Sequence, residues 1–189
     1  MQEAITGVIL AGGLARRMGG VDKGLQCYQG RTLVEQVAAR LAPQVDHLLI
    51  SANRNRESYE LLGYPVLSDQ FPDFVGPLAG LHVALLNADT PLVLTAPCDS
   101  PSLPSDLASR LYAGLCENAA SVAIAASHGR LHPVFCLCRR EVVEALARYL
   151  AGGGRRVAQW CSEMSAATVE FPDATAFDNF NTLADLSNP

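Results

Sequence analysis

Several absences narrow this sequence before any motif is read. No uncharged apolar run reaches about 18 residues, the length a helix needs to cross a bilayer, so no membrane span and no membrane partner are expected. The opening Met-Gln-Glu-Ala has no basic stretch leading into an apolar run, so no secretory leader is expected and the expected address is the cytosol. Positive charge is in short supply: 14 Lys and Arg stand against 19 Asp and Glu, a net charge of −5. That balance argues against a broad nucleic-acid footprint and confines any polyanion site to a local basic pocket. The phosphate-binding patterns G-x-x-x-x-G-K-[ST] and G-x-G-x-x-G are both missing, which removes the P-loop NTPases and the dinucleotide fingerprint.

Chemistry that needs a metal cage or a covalent nucleophile also finds no support. The six cysteines (27, 98, 116, 136, 138 and 161) contain no C-x-x-C pair, so buried, reduced, structural thiols are the expectation. Cys136 and Cys138 lie two apart in an expected strand and should share a face. The four histidines (47, 82, 128 and 132) lack metal-ligand spacing, and His132 is expected to pack or cap. No Ser/His/Asp or Cys/His arrangement is legible.

What remains is a globular chain of 189 residues, 49% hydrophobic and 17% charged, of a size for one domain with a substantial core. Ile5–Leu10 is apolar apart from Thr6 and Gly7 and reads as a buried strand. Apolar residues at 33, 34, 37, 38 and 41 give a helix over 32–41, opened by a Thr32/Glu35 capping box. Strands are expected at 47–51, 65–67 and 91–96, and helices at 57–62, 77–87 and 104–116, with Pro77 first in its helix. Strands 121–126 and 132–138 should pair antiparallel through the Gly129 turn. Helices 139–151 and 155–162, separated by three glycines, a strand at 168–170 and a short terminal helix complete the order. Strands alternating with helices predict an α/β fold, a mostly parallel sheet with helices on both faces. Ligands of such sheets lie beyond the carboxyl ends of the strands. Gly12-Gly13, Ser51-Ala-Asn53, Asp69 and Asp99 each follow a strand, so one ligand could meet all four.

The stretch Val8–Lys23 is the most informative. A buried strand breaks at Gly12-Gly13, where the missing Cβ lets backbone lie against a ligand. Arg16, Arg17 and Lys23 follow within eight residues. Glycine turn plus clustered cations makes a phosphate cradle. Lys23 would neutralise a polyphosphate, and of the two adjacent arginines Arg17 is expected to face it. Asp99, one turn past an apolar strand and stiffened by Pro97 and Pro101, is the best candidate for Mg²⁺, which is usually held by one or two carboxylates plus substrate phosphates. Asp69 has the same placement on a weaker strand.

Four stretches in combination, Leu10-Ala-Gly-Gly13 through Met18-Gly-Gly-Val-Asp-Lys23, Gly76-Pro-Leu-Ala-Gly80, Pro97-Cys-Asp-Ser-Pro101 and Asn179-Phe-Asn-Thr182, resemble the molybdenum cofactor guanylyltransferases. The related cytidylyltransferases would carry L-A-A-G in the first and G-D-Q-P near Asp99. The resemblance implies a single Rossmann-like domain over 1–189 of the nucleotide-diphospho-sugar transferase type, its N-terminal part binding nucleotide and its C-terminal part the acceptor. It implies GTP bound by Leu10, Ala11, Gly12, Gly13, Lys23, Asp69 and Asp99, with Mg²⁺ on Asp99. Ser51 stands where the family often has asparagine, and Ser51 and Asn53 are both candidates for that nucleotide contact, Asn53 being able to substitute for the missing amide. Asn179 and Asn181 match a motif thought to face the pterin substrate. The implied reaction transfers GMP from GTP to the terminal phosphate of the molybdenum–molybdopterin cofactor, with molybdoenzymes or their chaperones as further partners. Two alternatives stay open: a cytidylyl or sugar-phosphate nucleotidyltransferase, and a non-catalytic nucleotide-binding cofactor-delivery protein.

Overall fold

The structure is a computed structural model that describes residues 3–11, 22–69 and 76–180. β1 (Ile5–Leu10) is buried at every position, as a strand covered on both faces must be. A two-stranded hairpin follows, β2 (Cys27–Tyr28) and β3 (Arg31–Thr32), turning through Gln29 and Gly30, both at positive φ. That turn is the primed type whose twist suits a tight hairpin. The hairpin was not expected from the sequence, because two-residue strands carry no readable alternation. α1 (Leu33–Leu41) opens with the expected capping box: the Thr32 amide donates to Glu35 Oε2 at 2.6 Å and the Glu35 amide to Thr32 Oγ1 at 3.4 Å.

β4 (His47–Ser51), α2 (Arg56–Glu60), β5 (Val66–Leu67) and α3 (Pro77–Asn87) come next, α3 with Pro77 at its first turn as expected. β6 (Leu92–Pro97) leads to α4 (Leu107–Glu117), which starts three residues later than expected. Just before it, the Leu103 and Pro104 carbonyls accept from Arg40 Nε and Gln44 Nε2, and the Ala108 amide donates to Gln44 Oε1, so side chains from the end of α1 and the turn after it tie down this helix start. β7 (Val122–Ser127) and β8 (Arg130–Arg139) form the expected antiparallel hairpin through His128-Gly129. α5 (Val143–Ala151) is shorter than expected, because Arg139 is still in the sheet, opposite Leu92, and a 3-10 turn at Arg140–Val142 intervenes. α6 (Val157–Glu163), β9 (Ala167–Glu170) and a 3-10 turn at Thr175–Phe177 finish the described chain. The expected terminal helix lies outside the described residues.

The seven longer-range strands make one sheet in the order β5-β4-β1-β6-β8-β7-β9. Every neighbouring pair is parallel except those made by β8. One face is packed by α1 and α4 through residues such as Val34, Leu41, Leu107 and Leu111, the other by α3, α5 and α6 through Leu81, Leu85, Leu146 and Trp160. No helix among the described residues is long and apolar enough to cross a membrane. Four of the six cysteines are buried, but Cys27 and Cys116 are exposed. One sits on the small outlying hairpin and the other on a helix position turned to solvent, which corrects the expectation that all six are interior. Cys136 and Cys138 do share a face, with sulfurs 3.8 Å apart.

Register brings four strand ends to one level. Leu10 lies opposite Ser51 on one side and Pro97 on the other, and Ser51 lies opposite Leu67. The next amides continue the pattern: Ala11 N–H donates to Ser51 O at 2.8 Å, Ala52 to Leu67 O at 2.9 Å and Cys98 to Leu10 O at 3.1 Å. α3 crosses close above this edge. A Cβ on Gly80 would stand 2.6 Å from Leu10 Cδ2 and 2.7 Å from Ser51 Oγ, so only glycine lets the helix approach there. Gly80→Ala should therefore lower the melting temperature by several degrees, in line with an overpacking cost of about 1–3 kcal/mol. Thermal unfolding followed by circular dichroism checks this; an unchanged melting temperature would mean that Leu10 and Ser51 yield freely.

Candidate active site

Asp99 sits just past β6, and burial leaves only 11% of its side chain exposed. Desolvation raises its pKa above the ordinary aspartate value, and the Lys23 charge opposes that rise. Lys23 Nζ is 3.3 Å from Asp99 Oδ2. These residues are 76 apart in sequence, and the fold joins them through a brace around Asp22. The Asp22 carboxylate accepts from the Tyr59 hydroxyl at 2.5 Å, from Asn55 Nδ2 at 3.0 Å and from the Gly24 amide at 3.2 Å. Tyr59 is fully buried, and burial first, then Cys98 and Asp22, keep its phenol protonated. Gly24 and Gln26 then offer their carbonyls to the amides of Val34 and Leu33 at the start of α1. A Cβ at Gly24 would come within 2.6 Å of the Tyr59 hydroxyl and 3.2 Å of the Cys98 sulfur, so this turn too requires glycine. Lys23 thus hangs on α1, on α2 through Tyr59, and on the Asp99 loop through its own charge.

A second wall of the edge comes from the loops after β4 and β5. Asn53 Nδ2 donates to Asp69 Oδ2 at 2.6 Å, and the Asp69 amide donates back to Asn53 Oδ1 at 3.0 Å. Ser51 behaves differently: it is buried and its hydroxyl faces Gly80 of α3. The amide-bearing side chain at this part of the edge is therefore that of Asn53. Leu10 and Ala11 link the two walls through the backbone bonds already described. The Ala11 N–H is engaged by Ser51 O, so it is a sheet donor.

The third contribution comes from far along the chain. Ser100 Oγ donates to Asn179 Oδ1 at 2.8 Å, and the Phe180 amide donates to the Asp99 carbonyl at 2.9 Å. The Phe180 ring meets Tyr28 of the hairpin at 4.6 Å. A groove of about 610 Å³ opens beside this segment, with Asn179, Phe180, Ser102 and Arg130 among its lining residues. The structure thus brings Lys23, Asp99 and Asn179 into one cluster and Asn53 and Asp69 into another on the same edge. Gly12, Gly13, Arg16, Arg17 and Asn181 lie outside the described residues. Asp22, Asn55, Tyr59, Ser100 and Arg130 were not singled out from sequence. Only Tyr59 gave a usable sign, as the single large apolar ring on an otherwise polar helix. His132 packs as expected, stacked on Phe177 with Nε2 2.7 Å from Ser127 Oγ. Among the described residues, no group of three or more His, Cys, Asp or Glu could hold a metal ion.

Residues 7–167 match the model of the MobA-like NTP transferase domain. The chain belongs to this family. It is 48% identical over 191 residues to the molybdenum cofactor guanylyltransferase of Ralstonia nicotianae, covering 96% of this chain and 94% of that protein. It is 47% identical over 186 residues to the protein of the same name from Bordetella pertussis, with the same coverage. Among solved structures it is similar to molybdopterin-guanine dinucleotide biosynthesis protein A of Archaeoglobus fulgidus, with a TM-score of 0.77 and 20% identity over 96% and 95% of the two chains. A CMP-2-keto-3-deoxy-manno-octonic acid synthetase complexed with CTP superposes with a TM-score of 0.74 at 14% identity, over 99% of this chain and 96% of that one. These likenesses bear out the nucleotide-diphospho-sugar transferase type of fold. As a MobA-like NTP transferase, the chain is a nucleotidyltransferase.

In this MobA-like site the burial of Asp99 outweighs its ion pair, since its pKa is raised and not lowered. A carboxyl raised on folding stabilises the fold when protonated and loses that contribution as pH climbs through its folded pKa. Once ionised, Asp99 therefore costs stability. Asp99→Asn is expected to melt at an equal or higher temperature at pH 7, with the advantage vanishing below about pH 4, the ordinary aspartate range. Nucleotidyl transfer by the same variant should fall at least a hundredfold. Differential scanning calorimetry across pH, alongside turnover, checks both; a variant that melts several degrees lower at pH 7 would make Asp99 a structural carboxylate.

Proposed function

We propose that this chain transfers GMP from GTP to the terminal phosphate of the molybdenum–molybdopterin cofactor, releasing pyrophosphate and giving the guanine dinucleotide form. The observation that carries the reading is the convergence of two distant segments on the Asp99-Ser100 turn: Lys23 on the buried Asp99 carboxylate, and Asn179 and Phe180 on the Ser100 hydroxyl and the Asp99 backbone carbonyl. Support for guanine and for the acceptor comes from the near-full-length relatives named molybdenum cofactor guanylyltransferase. In the reaction an oxygen of the acceptor phosphate forms a bond to the α-phosphorus of GTP while the bond from that phosphorus to the bridging oxygen breaks. Both partners are anions, so charge neutralisation and alignment matter more than a general base.

The residues divide the work accordingly. Lys23 and Arg17 neutralise the triphosphate, and Gly12 and Gly13 let backbone lie beside it. Leu10, Ala11, Ser51, Asn53 and Asp69 border the nucleotide along the edge. The N-terminal part of the chain serves GTP, and the C-terminal part, with Asn179 and Asn181, serves the pterin. Asp99 is a hard oxygen ligand at the mouth of this edge, and a single protein carboxylate completed by substrate phosphates is a usual way to hold Mg²⁺. Bound there, Mg²⁺ would offset phosphate charge. The product then passes to molybdoenzymes or their chaperones.

A panel of ATP, CTP, GTP and UTP with Mg²⁺ and the molybdenum–molybdopterin cofactor should give pyrophosphate and the dinucleotide form with GTP. Comparable turnover with CTP would overturn the base assignment, and binding of GTP without pyrophosphate release would favour a delivery role. Lys23→Ala should weaken GTP tenfold to a hundredfold, as loss of a charge-assisted bond of roughly 1.5–3 kcal/mol implies. GMP should suffer much less in the same titration, since it lacks the β- and γ-phosphates; equal losses would remove Lys23 from the triphosphate.

A further inference from the structure

The groove beside Asp99 contains a cation that the reaction above does not employ. Among the described residues that line it, Arg130 carries the positive charge and Asp178 the negative one. Its place is set by a tight turn: His128 and Gly129 both take positive φ, and Arg130 starts β8 immediately after. The backbone beneath is held firmly. His132 lies two residues further on the same face of the strand, is buried, and stacks on Phe177 at a ring separation of 4.4 Å and an angle of 14°. Phe135 and Phe171 clamp Phe177 edge-on at 5.0 and 5.2 Å. Burial, and next the Arg130 charge, push the His132 pKa down, which favours its neutral form beside Arg130. The same groove is lined by Asn179 and Phe180, the residues bonded to Ser100 and Asp99. A flat heteroaromatic ring therefore finds the part-exposed Phe180 ring, and an anionic group the Arg130 guanidinium, next to the Asp99-Ser100 turn. On a protein of net charge −5, an arginine held in a polar groove is a selective anchor for an anion.

We propose that Arg130 binds the phosphate monoester of the acceptor, its planar fork gripping two phosphate oxygens while the pterin ring lies along the groove. The assignment rests on the reading that the acceptor is a phosphorylated pterin. Arg130 acts in binding, and GTP does not touch it.

The test uses the full chain and two fluorescent, metal-free pterins, one bearing a side-chain phosphate monoester and one dephosphorylated, titrated against wild type, Arg130→Ala and Arg130→Lys. Arg130→Ala should weaken the phosphorylated pterin tenfold to a hundredfold, leave the dephosphorylated one within twofold, and leave GTP affinity and melting temperature unchanged. Arg130→Lys should recover part of the loss, since it keeps the charge and lacks the fork. Equal losses for the two pterins, or none for the phosphorylated one, would overturn the role of Arg130 while leaving the guanylyltransferase reading intact. Wild type that binds GTP and neither pterin would overturn the acceptor reading, and this proposal with it.

Discussion

A carboxylate nine-tenths buried at the end of a strand needs a compensating charge, and the arrangement of this fold around the Lys23–Asp99 pair follows from that need. The cation comes from a turn that lies 76 residues earlier, so the turn itself has to be held. Asp22 holds it, by accepting three hydrogen bonds from three separate places: its own turn, the residue that precedes α2, and the buried Tyr59 within α2. The demand propagates further. Tyr59 fills the space above Gly24, which leaves no room for a side chain there, and the Gly24 carbonyl is tied to α1. One buried charge thus explains a glycine, a tyrosine and an aspartate that would otherwise look unrelated.

The central parallel strands and α1 were legible because their signals are local. Ile5–Leu10 and His47–Ser51 are short apolar runs, and α1 carries both a 3.6-residue apolar period and a cap whose two partners are three residues apart. Asp99 and Lys23 were legible too, one as an acid at a strand end between prolines and the other as a cation after a glycine turn. The brace was not. Tyr59 and Asp22 are 37 residues apart, and nothing in either neighbourhood announces the other. The start of α4 was missed for a related reason: Arg40 and Gln44 bond to the residues around it, tertiary contacts that the local sequence does not announce.

Ser51 and Gly80 show how one local substitution can be read only in three dimensions. In sequence Ser51 invites comparison with an asparagine, and the missing amide looks like a lost ligand contact. In the fold, the Ser51 hydroxyl lies where a Gly80 Cβ would strike it, so the side chain at 51 also sets how closely α3 approaches the edge. A larger residue at 51 would press on the helix. The small pair, serine below and glycine above, brings α3 down onto Leu10, while Asn53, two residues further, carries the amide and fixes Asp69.

The Lys23–Asp99 pair also bears on how ligands arrive. Before any ligand binds, the two groups already lie 3.3 Å apart at a part-buried edge, so neither has to be brought in later. On the proposed reading, a triphosphate would draw Lys23 toward its oxygens and release Asp99 toward the cation that accompanies those oxygens. Both partners exchange an intramolecular charge contact for one with the ligand, and the count of buried, unpaired charge does not rise. Preorganisation of this kind lowers the cost of ordering at the moment of binding. The C-terminal segment bonds through Asn179 and Phe180 to the same turn, Asp99-Ser100, so on the proposed reading the separation of acceptor and nucleotide is set by hydrogen bonds of 2.8 and 2.9 Å and not by a flexible hinge.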